Sequence, residues 1–575
     1  MLARLLPLPP SSILPSLMSK LLALFALCAT VASCGSGRDR AAGGGDAGGT
    51  LIVSVAGDAR TFFPPHVDEG IGAAVRDQLY DRLAELGDDL STVGDKGFTP
   101  QLADRWDWAP DSLSIAFHLD PKARWHDGQS VRASDVRYSY QIFSDPKVGS
   151  SVTPMLSNID SVSVRDSATA VVWFKRRRPE QFYDFAYQVY IVPEHVFKAV
   201  PNDQLRTSEL TRGGIGTGRF RLSRWNAGQR IELVADTGNY RGRAKLDRVV
   251  WSIVPDAGAA LAQLMSGQAD ILELIPADQI PRVDSSKTVR VAPYPALQYA
   301  FMGMNSVDPK RPAQPHPIFG DRQVRRAISM ALDRRAMLQN VFGPLGRPSY
   351  GPFPRTIAFA DTTLRLLPYD VTGAKALLDS AGWKEPTPGG VRQKNGRPLR
   401  FALMLPASSR PRMAYSVLIQ EQLRRVGVQV DLEQLQSNAM GERQFRRNFD
   451  ALLLAQFTDP SPSGYQQVWG SQGAGEGGQN LVAYRNPGYD ALLDSALGSS
   501  DPAKMRGYMR RAFQMQIDDA PAVWLYDVTT VAGIHRRLQP APMRPDGWWG
   551  HLADWTIPPN ARLDRDRVGI ATAAR

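Results

Sequence analysis

The chain has almost no cysteine: Cys28 and Cys34 are its only two, both within the first 34 of 575 residues. Beyond Cys34 there can be no disulfide, no thiol nucleophile and no cysteine-based metal site, so stability there must come from the core. Histidine is also scarce, at 7, and scattered without metal-ligand spacing. Neither a His-Glu-x-x-His helix nor a Gly-x-Ser-x-Gly elbow occurs, which removes the usual routes to a zinc or serine hydrolase and points away from an enzyme. Gly214, Gly216 and Gly218 are closely spaced. No Gly-Lys-Ser/Thr comes after them, and Arg219 to Leu222 reads as strand, so they are not a phosphate loop. The formal charge of +11, from 68 Lys+Arg against 57 Asp+Glu, is dispersed. Runs such as Lys175-Arg176-Arg177-Arg178 are short, so nucleic acid is not an expected partner. No repeat of 20 to 50 residues and no low-complexity tract appears beyond the leader.

The first 50 residues read as an address. Leu21 to Ser33 is an apolar run of 13 residues behind Lys20, short of the ~20 that span a bilayer but suited to a signal-peptide core. It ends in Val31-Ala32-Ser33-Cys34-Gly35, which resembles a bacterial lipobox whose cysteine is lipidated and becomes the mature N-terminus. A Gly-rich stretch with too few apolar residues to build a core comes next, and reads as a flexible tether. Residues 1–33 are thus expected to be a lipoprotein signal peptide, with Met18 as an alternative start, and 34–50 a tether. Cys34 is the expected lipidation site, and its acyl chains would hold the protein on a membrane without a spanning helix. About 540 residues remain, enough for more than one core.

Local signals agree best between Gln101 and Phe143. Leu113, Ile115, Phe117 and Leu119 alternate with polar or small residues, as in a strand with one buried face. Ala109-Pro110-Asp111-Ser112 supplies a turn before that strand, so the chain up to Trp108 folds back as a hairpin. Asp127-Gly128 is a second turn. Ser134 sits where an N-cap belongs, ahead of Val136, Tyr140 and Phe143 at helical spacing. Elsewhere, Leu51 onward opens a strand that leaves its sheet at Thr61-Phe62-Phe63-Pro64. A short helix is predicted over Ala73 to Glu85, and strands over 161–164 and 169–174. Val324, Ala327, Ile328 and Ala331 form the stripe of an amphipathic helix with Arg325 and Arg326 on its solvated side. Ala451 to Phe457 is a buried-strand run ending at Asp459-Pro460, the position where open α/β folds place ligand groups.

Several of these segments carry a resemblance. Leu102-Ala103-Asp104-Arg105-Trp106, Phe117 to Gln129, Ala133 to Val136, Gly216-Thr217-Gly218-Arg219-Phe220, Asp321 to Ile328, Ala381-Gly382-Trp383 and Asn486-Pro487 through Leu493 stand in the order found in the family 5 extracellular solute-binding proteins, the peptide- and nickel-type receptors of ABC importers. The chain resembles them from Leu51 to about Tyr526, and Tyr190 to His195 resembles a short strand end of theirs. The resemblance implies an α/β, periplasmic-binding-protein-like, two-lobed fold of the large class, with an extra subdomain in the first lobe. Lobe I would comprise 51–84, 214–300 and 521–560, its extra subdomain 85–213, and lobe II 301–520, with 561–575 a disordered tail. Ligand would bind between the lobes, on Glu69, Gly70 and Ile71 of one and on Ala455, Gln456, Phe457 and Asp459 of the other. In peptide-binding members an acid at the place of Asp459 receives the ligand's α-ammonium. This chain departs from the family pattern there, with Gln456-Phe457 where many relatives have Gly-Trp and Ser461 where a second Asp is common. The implied function is capture of a small solute, a di- or oligopeptide foremost, for an ABC permease and its ATPase, outside the cytoplasm of a bacterium, by a lipid-anchored monomer without a cofactor. A ligand sensor or assembly factor on the same fold, or carriage of a nickel chelate, haem or oligosaccharide, are the alternatives. Trp548-Trp549 is read as packing on a helix rather than lining the cleft.

Overall fold

The computed structural model describes residues 47–67, 70–475 and 478–566; Cys34, nearly all of the leader and tether, and Glu69 lie outside them. β1 (Thr50–Val55) opens the main sheet. The chain then leaves through Phe62 and Phe63, both fully buried, and enters α1 (Gly70–Leu79). This helix starts earlier than expected and stops six residues before Glu85, because Ala84–Leu86 pairs instead with Phe98–Pro100.

The hairpin expected around Ala109 to Ser112 is present. β2 (Ala103–Trp108) and β3 (Ser114–Leu119) pair antiparallel, and Ser112 takes the left-handed φ of +57° at the turn. α2 (Ala133–Ser144) comes next. Its cap is not Ser134: the residue preceding the helix is Arg132, whose N–H donates to the Asp135 carboxylate at 2.8 Å. An acid three residues in can close the first turn by itself, which makes a hydroxyl cap dispensable. β4 (Ile159–Asp166) and β5 (Thr169–Phe174) complete a four-stranded sheet in the order β2-β3-β5-β4. The expected strand end at Tyr190 to His195 is instead a single bridge at Tyr190 and then a short helix, Glu194–Phe197.

The glycine-rich crossing returns the chain to the main sheet through close approach more than through unusual backbone. A Cβ on Gly216 would stand 1.8 Å from the Leu79 carbonyl oxygen, and one on Gly218 2.1 Å from that of Gln78. The Trp125-to-Gly128 turn clamps the same segment. The His126 backbone N–H donates to Gly216 O at 2.8 Å, its Nδ1 accepts from Gly216 N at 3.1 Å, and its Nε2 donates to Gly218 O at 3.0 Å. That pattern requires the neutral ring, which burial also favours by lowering its pKa.

β6 (Phe220–Asn226), β7 (Arg230–Ala235), β8 (Arg248–Ile253), β9 (Ile271–Leu272) and β10 (Val289–Met304) succeed one another along the chain. Next come α3 (Arg322–Met330), β11 (Arg400–Pro406), α4 (Arg410–Arg424), β12 (Gln429–Leu435), β13 (Ala451–Phe457), α5 (Pro502–Asp519) and β14 (Ala522–His535). Ten strands run in the order β12-β11-β13-β10-β14-β9-β1-β8-β7-β6, and Arg347–Pro348 adds to β14, giving an 11-stranded sheet. The largest apolar core holds Leu51, Val53, Val75 and Leu79 at one end of the sheet and continues through Phe301, Met404, Leu452 and Trp524 on the other half; a second core holds Phe401, Leu403, Ile419 and Val430. The long strands β10 and β14 serve both. Val289 to Pro295 of β10 pairs with His535 to Thr529, and Tyr299 onward pairs with Asp527 to Ala522, with a register shift between. Pro295 has no N–H to contribute to the ladder. The two lobes therefore meet at an irregular pair of long strands.

α3 buries Val324, Ala327 and Ile328 as its stripe requires. Arg325, however, is buried rather than solvated: its guanidinium donates to Asp519 O at 3.1 and 2.9 Å and to Phe319 O at 2.8 Å. It caps the last carbonyl of α5, a role that sequence spacing alone does not reveal.

Candidate functional site

Two regions stand out at strand ends. The first is a cavity of about 950 Å³ above the C-terminal ends of β1, β8 and β9, the edge at which α/β sheets place ligands. Gly70 and Ile71, two of the expected ligand contacts, line it, as do Asp58, Arg60, Arg206 and Glu273. Gly70 has a φ of +71° and open space around its Cα, so its backbone is accessible at the start of α1. Leu274 also lines the cavity and is 66% exposed, an unusual state for a large apolar side chain at the mouth of a core. Asp58 is committed to the fold, accepting from Trp225 Nε1 at 3.0 Å, from Gly228 N at 2.7 Å and from Ala59 N at 2.8 Å. Glu273 accepts from the Tyr294 hydroxyl at 3.3 Å, and burial pushes its pKa up.

The second region surrounds Asp459. β13 carries Ala455, Gln456 and Phe457 opposite Ala300, Tyr299 and Gln298 of β10, and Phe457 is 57% exposed. Two residues on, Asp459 is half-buried. Its Oδ1 accepts from the Tyr183 hydroxyl at 2.9 Å, across 276 residues of sequence, and from Ser461 N at 2.7 Å. Beside it Glu180 takes Thr92 Oγ1 at 2.7 Å and Ser461 Oγ at 2.9 Å. Asp184 is buried, and its Oδ2 has no hydrogen-bond partner among the described residues. Withdrawal from water, reinforced by neighbouring acids, raises all three carboxyls, Glu180 to about 7 and Asp184 to about 8. The Arg178 guanidinium partly offsets this at Glu180 and Asp184. The segment Tyr183–Tyr187 is a single π-type turn, in which Tyr183 and Tyr187 stack with centroids 5.3 Å apart. Tyr187 in turn lies 4.0 Å from the Arg82 guanidinium.

Of the residues singled out from sequence, Gly70 and Ile71 share the cavity, while 455–457 and Asp459 share the β13 end and are not among the cavity's lining residues. Glu69 lies outside the described residues. Trp549 packs against α1, donating from Nε1 to Asp77 at 2.9 Å and accepting from Gln78 Nε2 at 3.2 Å. Glu180, Tyr183, Asp184, Arg60 and Arg206 were not anticipated. One legible hint was two acids inside the aromatic run Glu180 to Tyr187. Ser461 now has a physical reason: a second aspartate there would set its carboxylate against Glu180. Among the described residues no group of three or more His, Cys, Asp or Glu could hold a metal ion, and no helix is long and apolar enough to cross a membrane.

Residues 97–478 match the family described as bacterial extracellular solute-binding proteins, family 5, middle region. The chain belongs to that family. It is 26% identical over 550 residues to the oligopeptide-binding protein AppA of Bacillus subtilis, covering 92% of this chain and 96% of the relative. The structure of Bacillus subtilis AppA in complex with a nonapeptide superposes with a TM-score of 0.71 at 24% identity, over 89% of this chain and 100% of that one. The substrate-binding protein CtaP of Listeria monocytogenes superposes at 0.78 with 20% identity, over 89% and 99%. NikZ of Campylobacter jejuni, solved with Ni(L-His), superposes at 0.71 with 21% identity, over 88% and 99%. At these identities the structural likeness establishes the two-lobed α/β fold of this solute-binding chain. The ligands of these neighbours range from a metal chelate to a nonapeptide, so the fold leaves ligand choice to the side chains.

Proposed function

We propose that the protein captures a short peptide between its lobes and hands it to an ABC permease driven by an ATPase, with no catalytic step of its own. In this reading the lobes divide as the sequence suggests, and lipid on Cys34 holds the protein at the outer face of a bacterial membrane. The observation that carries the reading is the cavity of about 950 Å³, which in this reading forms the lobe I side of the cleft. It stands at the upper end of the ~300–1,000 Å³ range of small-molecule sites, more room than a hydrated metal chelate needs. The accessible backbone at Gly70 and the exposed Leu274 suit an extended peptide, which offers main-chain groups for pairing and side chains for apolar contact. The kinship with an oligopeptide-binding relative supports the same choice. Binding favours the closed state because only that state touches ligand from both lobes. Glu69, Gly70 and Ile71 contribute from lobe I and Ala455, Gln456 and Phe457 from lobe II. Asp459 receives the ligand's α-ammonium, exchanging its neutral hydrogen bond from Tyr183 for a charge-assisted one.

Native mass spectrometry of the purified protein tests the reading. A co-purifying peptide, or retention of added peptides, is expected; retention of a nickel chelate, haem or oligosaccharide in their place would refute it. A peptide held equally well by Asp459→Asn would remove that residue from the site and leave the rest standing.

A further inference from the structure

The carboxyl cluster lies where two parts of the molecule meet. On one side stands the segment Glu180 to Tyr187, held to the small four-stranded sheet by Phe182, whose ring centroid is 4.9 Å from that of Trp106 in β2 and 5.7 Å from that of Phe117 in β3. On the other stands the loop that continues β13, Thr458 to Ser463. Hydroxyls and carboxyls join them. The Tyr183 hydroxyl donates to Asp459 at 2.9 Å, and Ser461 Oγ donates to Glu180 at 2.9 Å. Asp184 is buried beside them with Oδ2 unpartnered among the described residues. Arg178 is the cation that faces Glu180 and Asp184. Asp459 faces both as a like charge from the β13 loop, and Asp546, itself paired with Arg544 at 2.8 Å, faces Asp459 from beyond β14. Acids packed together with so little compensation must take up protons to stay buried, whereas parting the two sides returns them to water. The irregular crossing of β10 and β14 gives the lobes a place to bend.

We propose that this cluster is a proton-dependent latch: with Glu180 and Asp184 protonated it holds the small-sheet side against the β13 end in the ligand-free protein, and their ionisation lets the two part. The latch acts whichever ligand the protein carries. Its sign comes from burial, which outweighs Arg178 and holds Glu180 at about 7 and Asp184 at about 8 in the joined state. Their support for that state is complete below the solvated values near 4 and is lost as pH rises through 7 and 8. A second contact between distant segments serves as a contrast. Arg410 at the start of α4 meets Asp278, beyond β9, at 3.1 Å. The Asp278 carboxyl lies below its usual range, chiefly through the Gln279 side chain, and so stays charged throughout.

Small-angle X-ray scattering of the purified, exhaustively dialysed protein between pH 5 and pH 9 tests the latch, with far-ultraviolet circular dichroism to separate opening from unfolding. The unaltered protein is expected to be compact in acid and to expand, at constant dichroism, with a midpoint between about 7 and 8. Glu180→Gln with Asp184→Asn, which fixes both groups in a neutral form, should stay compact throughout. Arg410→Gln should expand as the unaltered protein does. Ser461→Asp, which sets a further carboxylate against Glu180, should expand at lower pH. A radius of gyration that stays constant in the unaltered protein, changes equally in the double variant, or grows only as dichroism is lost overturns the latch. Should the double variant fail to fold, Ser461→Asp decides: an unmoved midpoint overturns the latch, and a lowered one upholds it.

Discussion

The cavity over the ends of β1, β8 and β9 and the carboxyl cluster around Asp459 treat charge in opposite ways. In the cavity two arginines stand exposed to solvent, and the two carboxyl groups that line the same space are hydrogen-bonded to neighbouring neutral groups. In the cluster three carboxyl groups are gathered with little basic compensation, and burial keeps them toward their neutral forms. An open site keeps its charge because water stabilises it until a ligand arrives. A closed one must neutralise its groups by protonation or pair them. The cavity therefore keeps its charged groups in water, whereas the cluster ties two distant segments together and couples that contact to protons.

The largest expected effect lies in the cluster. Glu180 and Asp184 are raised above their ordinary values to about 7 and about 8. Their contribution to stability is fully present below the unfolded-state values near 4 and is lost as pH rises through 7 to 8. Glu180 faces Thr92 and Ser461, with Asp459 and Asp184 as like charges and Arg178 as the compensating cation. Unfolding by denaturant should show the protein losing on the order of 6 kcal/mol between pH 5 and pH 8 from these two groups together. Glu180→Gln with Asp184→Asn should flatten that dependence; a variant that keeps the full slope would show that the cluster does not titrate as its burial demands.

Asp459→Ala is the next step down. It strands the Tyr183 hydroxyl and the Ser461 N–H, at a cost of about 1 to 3 kcal/mol, read as a lower denaturation midpoint with an unchanged m-value. Asp459→Asn, which keeps an acceptor, should cost less, and the two variants behaving alike would argue against the hydrogen bonds as the source. Tyr183→Phe removes only the long-range bond and should cost about 1 kcal/mol. The contrast closes in the cavity: Arg60→Gln should change unfolding free energy by less than about 0.5 kcal/mol, since its guanidinium holds nothing in the described fold. A clear loss of stability there would mean that the cavity is structural after all and would erase the difference between the two regions.

Much of the fold was legible locally. The Ala109-to-Ser112 hairpin, the strand from Ala451 to Phe457 and the apolar stripe of α3 each arise from a turn, a run or a spacing within a few residues, and the structure reproduces them. Boundaries set by remote partners were not legible. α1 ends at Leu79 because Ala84–Leu86 finds a strand partner at Phe98–Pro100, and Arg325 is buried because the end of α5 needs a donor. The candidate residues were singled out by position and resemblance: Asp459 by its place at a strand end, and Gly70 and Ile71 by the family resemblance of the loop leaving β1. The partners that give Asp459 its environment lie hundreds of residues away, so no window of sequence could join Tyr183 or Glu180 to it.

The sequence by itself determined many of the elements, the lack of cysteine beyond Cys34, and the family to which the order of its motifs belongs, because these depend on residues near one another along the chain. Only the tertiary structure decided the charge state each group is pushed toward and which groups are left over. Burial and pairing are set by contacts between distant segments, and those contacts leave Arg60 exposed without a partner among the described residues while Glu180 and Asp184 are sealed and driven toward their protonated forms.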